Sequence, residues 1–284
     1  MPDYTWIIAA ASVMGAAHHE QKLPCQDCCG ILSVTHNCGV AVVCDGAGSR
    51  THSDIGAQEV VNYVLRHFST YCQSNELYNT TIPPSIDQWQ KDAVYYLSCV
   101  KDDLADYAQA NNLSVCSLAC TVIVVIYTPF GLLCANIGDG RAAYRNEQGE
   151  WRAIVVPFHG EEINSTVFIT SDIWENTNEY IHTCVIEDPC LTAFCLLSDG
   201  CEKASFEVNL FDADTNKYYD PNRPYLPFFE PNIYALQNLY EQQKSQTEIN
   251  QLWADFLEAG NNKLRIEPDD KTMILAVRSI EANV

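Results

Sequence analysis

An α+β fold built as a layered sandwich is what this chain of 284 residues predicts. Short apolar runs recur and are joined by turns of a few residues, which makes neighbouring strands antiparallel rather than crossover-linked. Helical periodicity is confined to two pairs of segments, residues 55–71 with 85–110 and residues 232–243 with 247–259. Four strand-like segments carry acidic residues in the turns at their ends, so the sandwich should have one acidic end.

The elements follow in order. Residues 4–13 read as a strand and lead into a polar segment, 15–27, before two strands at 28–34 and 39–44 that are close enough to form a hairpin. Thr51 or Ser53 can cap the first helix, where Val60, Val64 and Phe68 share a face. Pro83-Pro84 separates it from the second helix, for which Ser85 and Gln88 suggest a capping box and Trp89, Ala93, Leu97, Val100 and Leu104 mark the core face. Strands are expected at 119–127, 132–137, 141–145 and 151–156, then at 166–170, 181–186, 192–197 and 271–277. Residues 201–232 are aromatic, Pro-containing and irregular, and Gly260 ends the last helix, so 201–265 forms an irregular and helical excursion before the final strand. Residues 1–284 are expected to form one domain.

Composition narrows the function classes. Hydrophobic residues make up 47% of the chain, enough for a sizeable core. A net charge of -21 argues against nucleic acid and anionic membranes as partners. No apolar run approaches the ~20 residues that span a bilayer, and residues 1–13 lack the basic flank of a signal peptide, so a cytoplasmic protein, monomeric by default, is expected. Most of the 14 cysteines fall in apolar segments, where a thiol behaves as a small hydrophobe. The single C-x-x-C at Cys25 to Cys28 has no second pair at zinc spacing.

The stretch Val40 to Ser49, V-A-V-V-C-D-G-A-G-S, sets Asp45 at the end of an apolar strand, with Gly46 and Gly48 behind it. A carboxylate at the mouth of a core is costly unless paired or bound to a cation. One such turn is weak evidence, since a polar turn leaving a sheet looks the same. The pattern recurs at Asp139 between Gly138 and Gly140, at Asp199 before Gly200, and at Asp269 and Asp270 before T-M-I-L-A-V. Convergence of these turns would make a hard oxygen site suited to Mg2+ or Mn2+.

The motifs G-A-A-H with P-C-Q-D (Gly15 to Asp27), V-V-C-D-G-A-G-S (Val42 to Ser49), I-G-D-G-R (Ile137 to Arg141), G-E-E-I-N-S-T-V-F (Gly160 to Phe168), L-S-D-G (Leu197 to Gly200) and D-D-K-T (Asp269 to Thr272) span nearly the whole chain. In their order and flanks they resemble the metal-dependent Ser/Thr protein phosphatases of the type 2C (PPM) family, in its bacterial-style branch. The resemblance implies a four-layer α-β-β-α sandwich of two antiparallel sheets, two Mn2+ or Mg2+ ions, and a phosphorylated protein as substrate. It implies that Asp45 bridges both ions, that the Gly46 carbonyl completes one, that Asp199 and Asp269 hold the other, and that Asp27 anchors waters on the ions. Asp139 matches a ligand of a weak third ion, while Lys203, where relatives often have an aspartate, would oppose that ion. Two such ions about 3.5–4 Å apart activate a water for in-line attack on phosphorus, without a covalent enzyme intermediate.

The chain departs from the family pattern in three places. Gln26 stands where many members have Glu; Ala47 stands where the eukaryotic branch has His, which leaves His18 and His52 as candidates for the leaving-group acid. No arginine clearly matches a phosphate grip, and Lys22 is the nearest basic residue. Residues 160–166 would form a flap shaping substrate choice. Rival readings are a two-metal phosphoesterase acting on a small phosphoester or a nucleic acid, a catalytically silent binding module of the same fold, and a dinucleotide site at Gly46-Ala-Gly48; the incomplete G-x-G-x-x-G counts against the last.

Overall fold

The computed structural model describes residues 4–158 and 166–279. The chain begins with β1 (Trp6–Val13), a short helix α1 (Ala16–Gln21), and the hairpin β2 (Cys28–Thr35) and β3 (Cys38–Cys44). Helices α2 (Ser53–Ser74) and α3 (Ile86–Ala110) precede β4 (Val122–Thr128), β5 (Gly131–Ile137), β6 (Arg141–Arg145) and β7 (Trp151–Ala153). Then come α4 (Thr177–Tyr180), β8 (His182–Glu187), β9 (Ala193–Leu197) and α5 (Glu202–Ser205). The excursion holds β10 (Phe206–Glu207), β11 (Leu210–Asp212), β12 (Lys217–Tyr219) and β13 (Arg223–Pro224), followed by α6 (Leu226–Glu241), α7 (Gln246–Ala259) and α8 (Asn262–Ile266). Strand β14 (Lys271–Arg278) returns to a sheet between β1 and β9.

Two five-stranded antiparallel sheets result, one in the order β1-β14-β9-β6-β7 and the other β2-β3-β4-β5-β8. Strand periodicity assigns their faces: Val40, Val42 and Cys44 join the core shared with α2 and α3, whereas Ala41 and Val43 point to the layer between the sheets. β4 does the same, with Val122, Val124 and Ile126 on the helix side and Ile123, Val125 and Tyr127 on the inner side. On the opposite flank α6 and α7 cover the first sheet through Phe229, Trp253 and Leu257. Two buried indoles fix these outer layers, because Trp89 Nε1 on α3 donates to the Cys134 carbonyl (2.8 Å) and Trp253 Nε1 on α7 donates to that of Met273 (3.0 Å). The four-layer α-β-β-α expectation is borne out. Among the described residues no helix is long and apolar enough to cross a membrane.

Several local expectations differ from the structure. The Gly138-Asp139-Gly140 turn is not a hairpin: β5 and β6 belong to different sheets, and Gly138, at φ +114°, lets the chain cross between them. Residues 166–170 form no strand, because Phe168 N–H bonds the Ser171 hydroxyl (2.9 Å) and Ser171 N–H bonds the Phe168 carbonyl (2.9 Å), closing a local turn. Ser85 does accept from Gln88 N–H (3.2 Å), but the Gln88 side chain donates to Asp92 (2.8 Å), so the box is half made. Helix α6 starts at Leu226, before the expected 232; Pro227 falls in its first turn, where an N–H has no intrahelical partner. The polar segment 15–27 contains α1. The flap expected at 160–166 lies, apart from Thr166, outside the described residues.

Candidate active site

Both sheets deliver acidic residues to the same end of the sandwich. Asp45 follows β3 and Asp27 precedes β2 in one sheet, while Asp199 follows β9 and Asp269 precedes β14 in the other; Asp139 sits in the crossing between them. Backbone contacts pin the Asp45 turn: its N–H donates to Thr121 Oγ1 (3.1 Å), its carbonyl accepts from Thr121 N–H (2.8 Å), and Gly46 bridges to Cys120. The turn is also packed too closely for side chains. A Cβ on Gly46 would stand 2.5 Å from the Gln26 carbonyl oxygen, and one on Gly200 would collide with the Asp270 carbonyl.

Asp27, 8% exposed, accepts a hydrogen bond from Ser198 Oγ on the other sheet (2.7 Å), and Ser198 Oγ accepts in turn from Thr272 N–H (3.0 Å). Asp270 is a clasp: its buried carboxylate takes the N–H groups of Gly15 (2.7 Å) and Gln26 (2.6 Å). That ties the loop bearing Asp27 to the strand behind Asp269. In the sequence Asp270 stands out only as the neighbour of Asp269, and Ser198 and Thr272 only as members of the L-S-D-G and D-D-K-T motifs, with no role of their own. The available signal was a pair of adjacent aspartates, of which one can face the site and the other the backbone.

The carboxylates oppose one another. Burial, then the charges of Asp27, Asp199, Asp139 and Asp269, hold the Asp45 carboxyl well above the usual range. Burial pushes Asp27 up to about 7, against relief from Ser198 and Thr272 and with further pressure from Asp270 and Asp199. Asp199 reaches about 7 through burial and then the charges of Asp139 and Asp269. Asp269 is raised by burial, with the Asp270 N–H drawing it back. Oδ1 of Asp199 is buried and lacks a hydrogen-bond partner, which a native interior rarely tolerates. An all-oxygen donor set with surplus negative charge and an orphaned carboxylate oxygen fits a hard divalent cation. No group of three or more His, Cys, Asp or Glu side chains among the described residues is arranged to hold an ion outright. Mg2+ commonly binds in that way, through one or two carboxylates with waters filling the rest.

The three candidate basic residues separate. His18 Nδ1 lies 2.9 Å from Asp270 Oδ2, close enough for an ion pair when protonated but not aligned for a hydrogen bond, and its charge acts on Asp269. His52 precedes α2 and contacts Thr51 Oγ1 (3.0 Å). Lys22 ends α1 with φ 56° and is exposed, so it has no fixed place against the carboxylates. Arg141, 1% exposed and two residues beyond Asp139, is no phosphate grip either: it binds Glu202 (3.0 Å), Asp220 and Asn222 (2.7 Å). It thereby fastens the excursion beside the cleft. Lys203 pairs with Glu267 at 2.9 Å and does not stand alone in water.

Comparison with known proteins bears on the family and the fold. Residues 14–253 match a family model described as Protein phosphatase 2C. The serine/threonine-protein phosphatase 3 of Escherichia coli (strain K12) is 28% identical over 277 residues, covering 96% of this chain and 98% of that protein. Among solved structures, serine/threonine phosphatase Stp1 from Staphylococcus aureus superposes with a TM-score of 0.54 at 15% identity, covering 97% of this chain and 95% of that one. The S. agalactiae serine/threonine phosphatase gives 0.55 at 12% identity, covering 96% and 99%. At those identities the structural likeness speaks for the fold alone.

Proposed function

The chain belongs to the protein phosphatase 2C family, and from that premise we propose that it hydrolyses phosphoserine and phosphothreonine monoesters on proteins, with two Mn2+ or Mg2+ ions held at the acidic end of the sandwich. The observation that carries the reading is the meeting of Asp45, Asp199 and Asp269 from strand ends of both sheets, with Asp199 Oδ1 left without a partner. Asp45 would touch both ions, the Gly46 carbonyl one of them, and Asp199 and Asp269 the other. Asp139, with Asp199, would offer a weaker third position, opposed by the Lys203 ammonium nearby.

The ions, when bound, would offset charge on the phosphoryl oxygens and lower the pKa of an attacking water. The remaining steps belong to side chains. Asp27, fixed through Oδ2 by Ser198, keeps Oδ1 to accept a hydrogen bond from a water and so orient it. His18 has Nδ1 turned to Asp270, which leaves Nε2 as the atom to carry a proton to the departing serine or threonine oxygen. Asp270 keeps that imidazole and the Gln26–Asp27 backbone in place. The same reading takes residues 1–284 as one domain acting as a monomer in the cytoplasm, a reducing compartment that suits 14 free thiols.

Hydrolysis of a phosphothreonine peptide, p-nitrophenyl phosphate and bis-p-nitrophenyl phosphate by the purified protein with Mn2+ tests the reading. Turnover of both monoesters and not of the diester is expected. Preference for the diester would move the protein to another class of phosphoesterase, and no turnover of any of them would make it a binding module.

A further inference from the structure

A groove of about 610 Å³ is lined by the excursion and by the residues just before β14. Its apolar wall comes from Val208, Leu210, Ile266 and Pro268, and its cations are Lys203 and Lys263. Pro268 immediately precedes Asp269, and consecutive Cα atoms lie ~3.8 Å apart, so the lining of the groove reaches to within one residue of Asp269. We propose that this groove docks the substrate polypeptide on one side of the phosphorylated residue and selects a segment carrying an apolar side chain beside a carboxylate; the proposal rests on the phosphoprotein reading above.

Charge complementarity argues for the carboxylate. The protein as a whole, at -21, repels acidic peptides. In the groove, however, Glu267 is neutralised by Lys203 and Glu207 by Arg223, while among the described residues no carboxylate pairs with Lys263. Lys263 is nonetheless fixed: Nζ donates to the Lys203 carbonyl at 2.7 Å and sits 5.5 Å from the centroid of the Tyr225 ring. An ammonium has three N–H donors, so donors remain for an incoming anion.

Exposure argues for the apolar part. Ile266 is 77% exposed at the rim of the groove, and Tyr219, which pairs with Leu210 across the β11–β12 hairpin and so shares its face, is exposed as well. Contiguous exposed apolar surface of this kind marks an interaction site. A small phosphoester would end at the carboxylates and use none of it. An extended peptide advances ~3.3–3.6 Å per residue, which brings residues about two to five positions from the phosphoester into the groove.

The test compares two phosphothreonine peptides, one with Leu-Asp and one with Ala-Lys placed about two to five residues from the phosphothreonine, with p-nitrophenyl phosphate as the control. Lys263→Glu should lower kcat/KM for the Leu-Asp peptide about tenfold, chiefly through KM. It should improve the Ala-Lys peptide and leave p-nitrophenyl phosphate within about twofold. Ile266→Ser, at an exposed position where unfolding is not expected, should weaken only the Leu-Asp peptide. Equal losses on peptide and p-nitrophenyl phosphate, or unchanged peptide kinetics, would overturn the proposal. Ile266→Ser turning a dimer into a monomer with peptide kinetics unchanged would also overturn it, by assigning the groove to a second copy of the chain. If the unmodified protein hydrolyses nothing, the activity reading fails and the groove is judged by fluorescence anisotropy of the labelled Leu-Asp peptide: weaker binding to Lys263→Glu supports it, equal binding overturns it.

Discussion

Ser198 Oγ donates a 2.7 Å hydrogen bond to Asp27 Oδ2, and that contact joins the two sheets at their acidic end. Both groups are buried, and the hydroxyl also accepts from Thr272 N–H, so each partner is held by the other. Ser198→Ala therefore leaves a buried carboxylate and a buried amide short of a partner. A loss of about 1–3 kcal/mol in stability is expected from urea unfolding. Turnover should fall with it, because Asp27 loses its fixed orientation. Unchanged stability together with unchanged turnover would remove Asp27 from the site.

Asp45→Asn should be the most damaging single substitution for activity, since one residue serves both proposed ions while the volume barely changes. A fall of about a hundredfold or more in kcat/KM at limiting Mn2+ is expected. In EDTA the same variant should melt higher than the unmodified protein, because it deletes a carboxylate that Asp27, Asp199, Asp139 and Asp269 all oppose. Wild-type turnover at limiting Mn2+ would show the ligand assignment to be wrong.

The raised carboxyls also set the pH dependence of the metal-free protein. Asp27 and Asp199 stand at about 7 in the fold against an ordinary 3.8. Between those values the folded state holds more protons than the unfolded chain, so stability falls as pH rises through the window, by about 1.4 kcal/mol per pH unit for each such group, and the deficit is complete above it. In EDTA the melting temperature should be higher at about pH 5 than at about pH 8, and Asp199→Asn should flatten the difference. A pH slope identical in Asp199→Asn and the unmodified protein would contradict the account.

Much of this was legible in the sequence because the strands announce themselves. The run Val40 to Cys44 is apolar on both faces, and both faces are buried, one by helices and one by the other sheet. The acidic turns were visible for the same reason: an aspartate ending such a run stands out. Sheet membership was not visible. The Asp139 turn has the length of a hairpin, and only the positive φ of Gly138 and the packing of two sheets send the chain across. The partners that hold the site were hidden too, since Ser198 meets Asp27 across 171 residues of sequence and Asp270 reaches Gly15 across 255. Arg141 was legible only as part of a motif; its role depends on Glu202, Asp220 and Asn222, which the excursion brings to it.

Under the proposed function the acidic end would work through bound divalent cations rather than through a side-chain nucleophile. The most direct measurement is hydrolysis of a phosphothreonine peptide by protein dialysed against EDTA, before and after adding back Mn2+. No turnover in chelator and full recovery with the metal are expected. Full turnover in excess EDTA would contradict the proposed function.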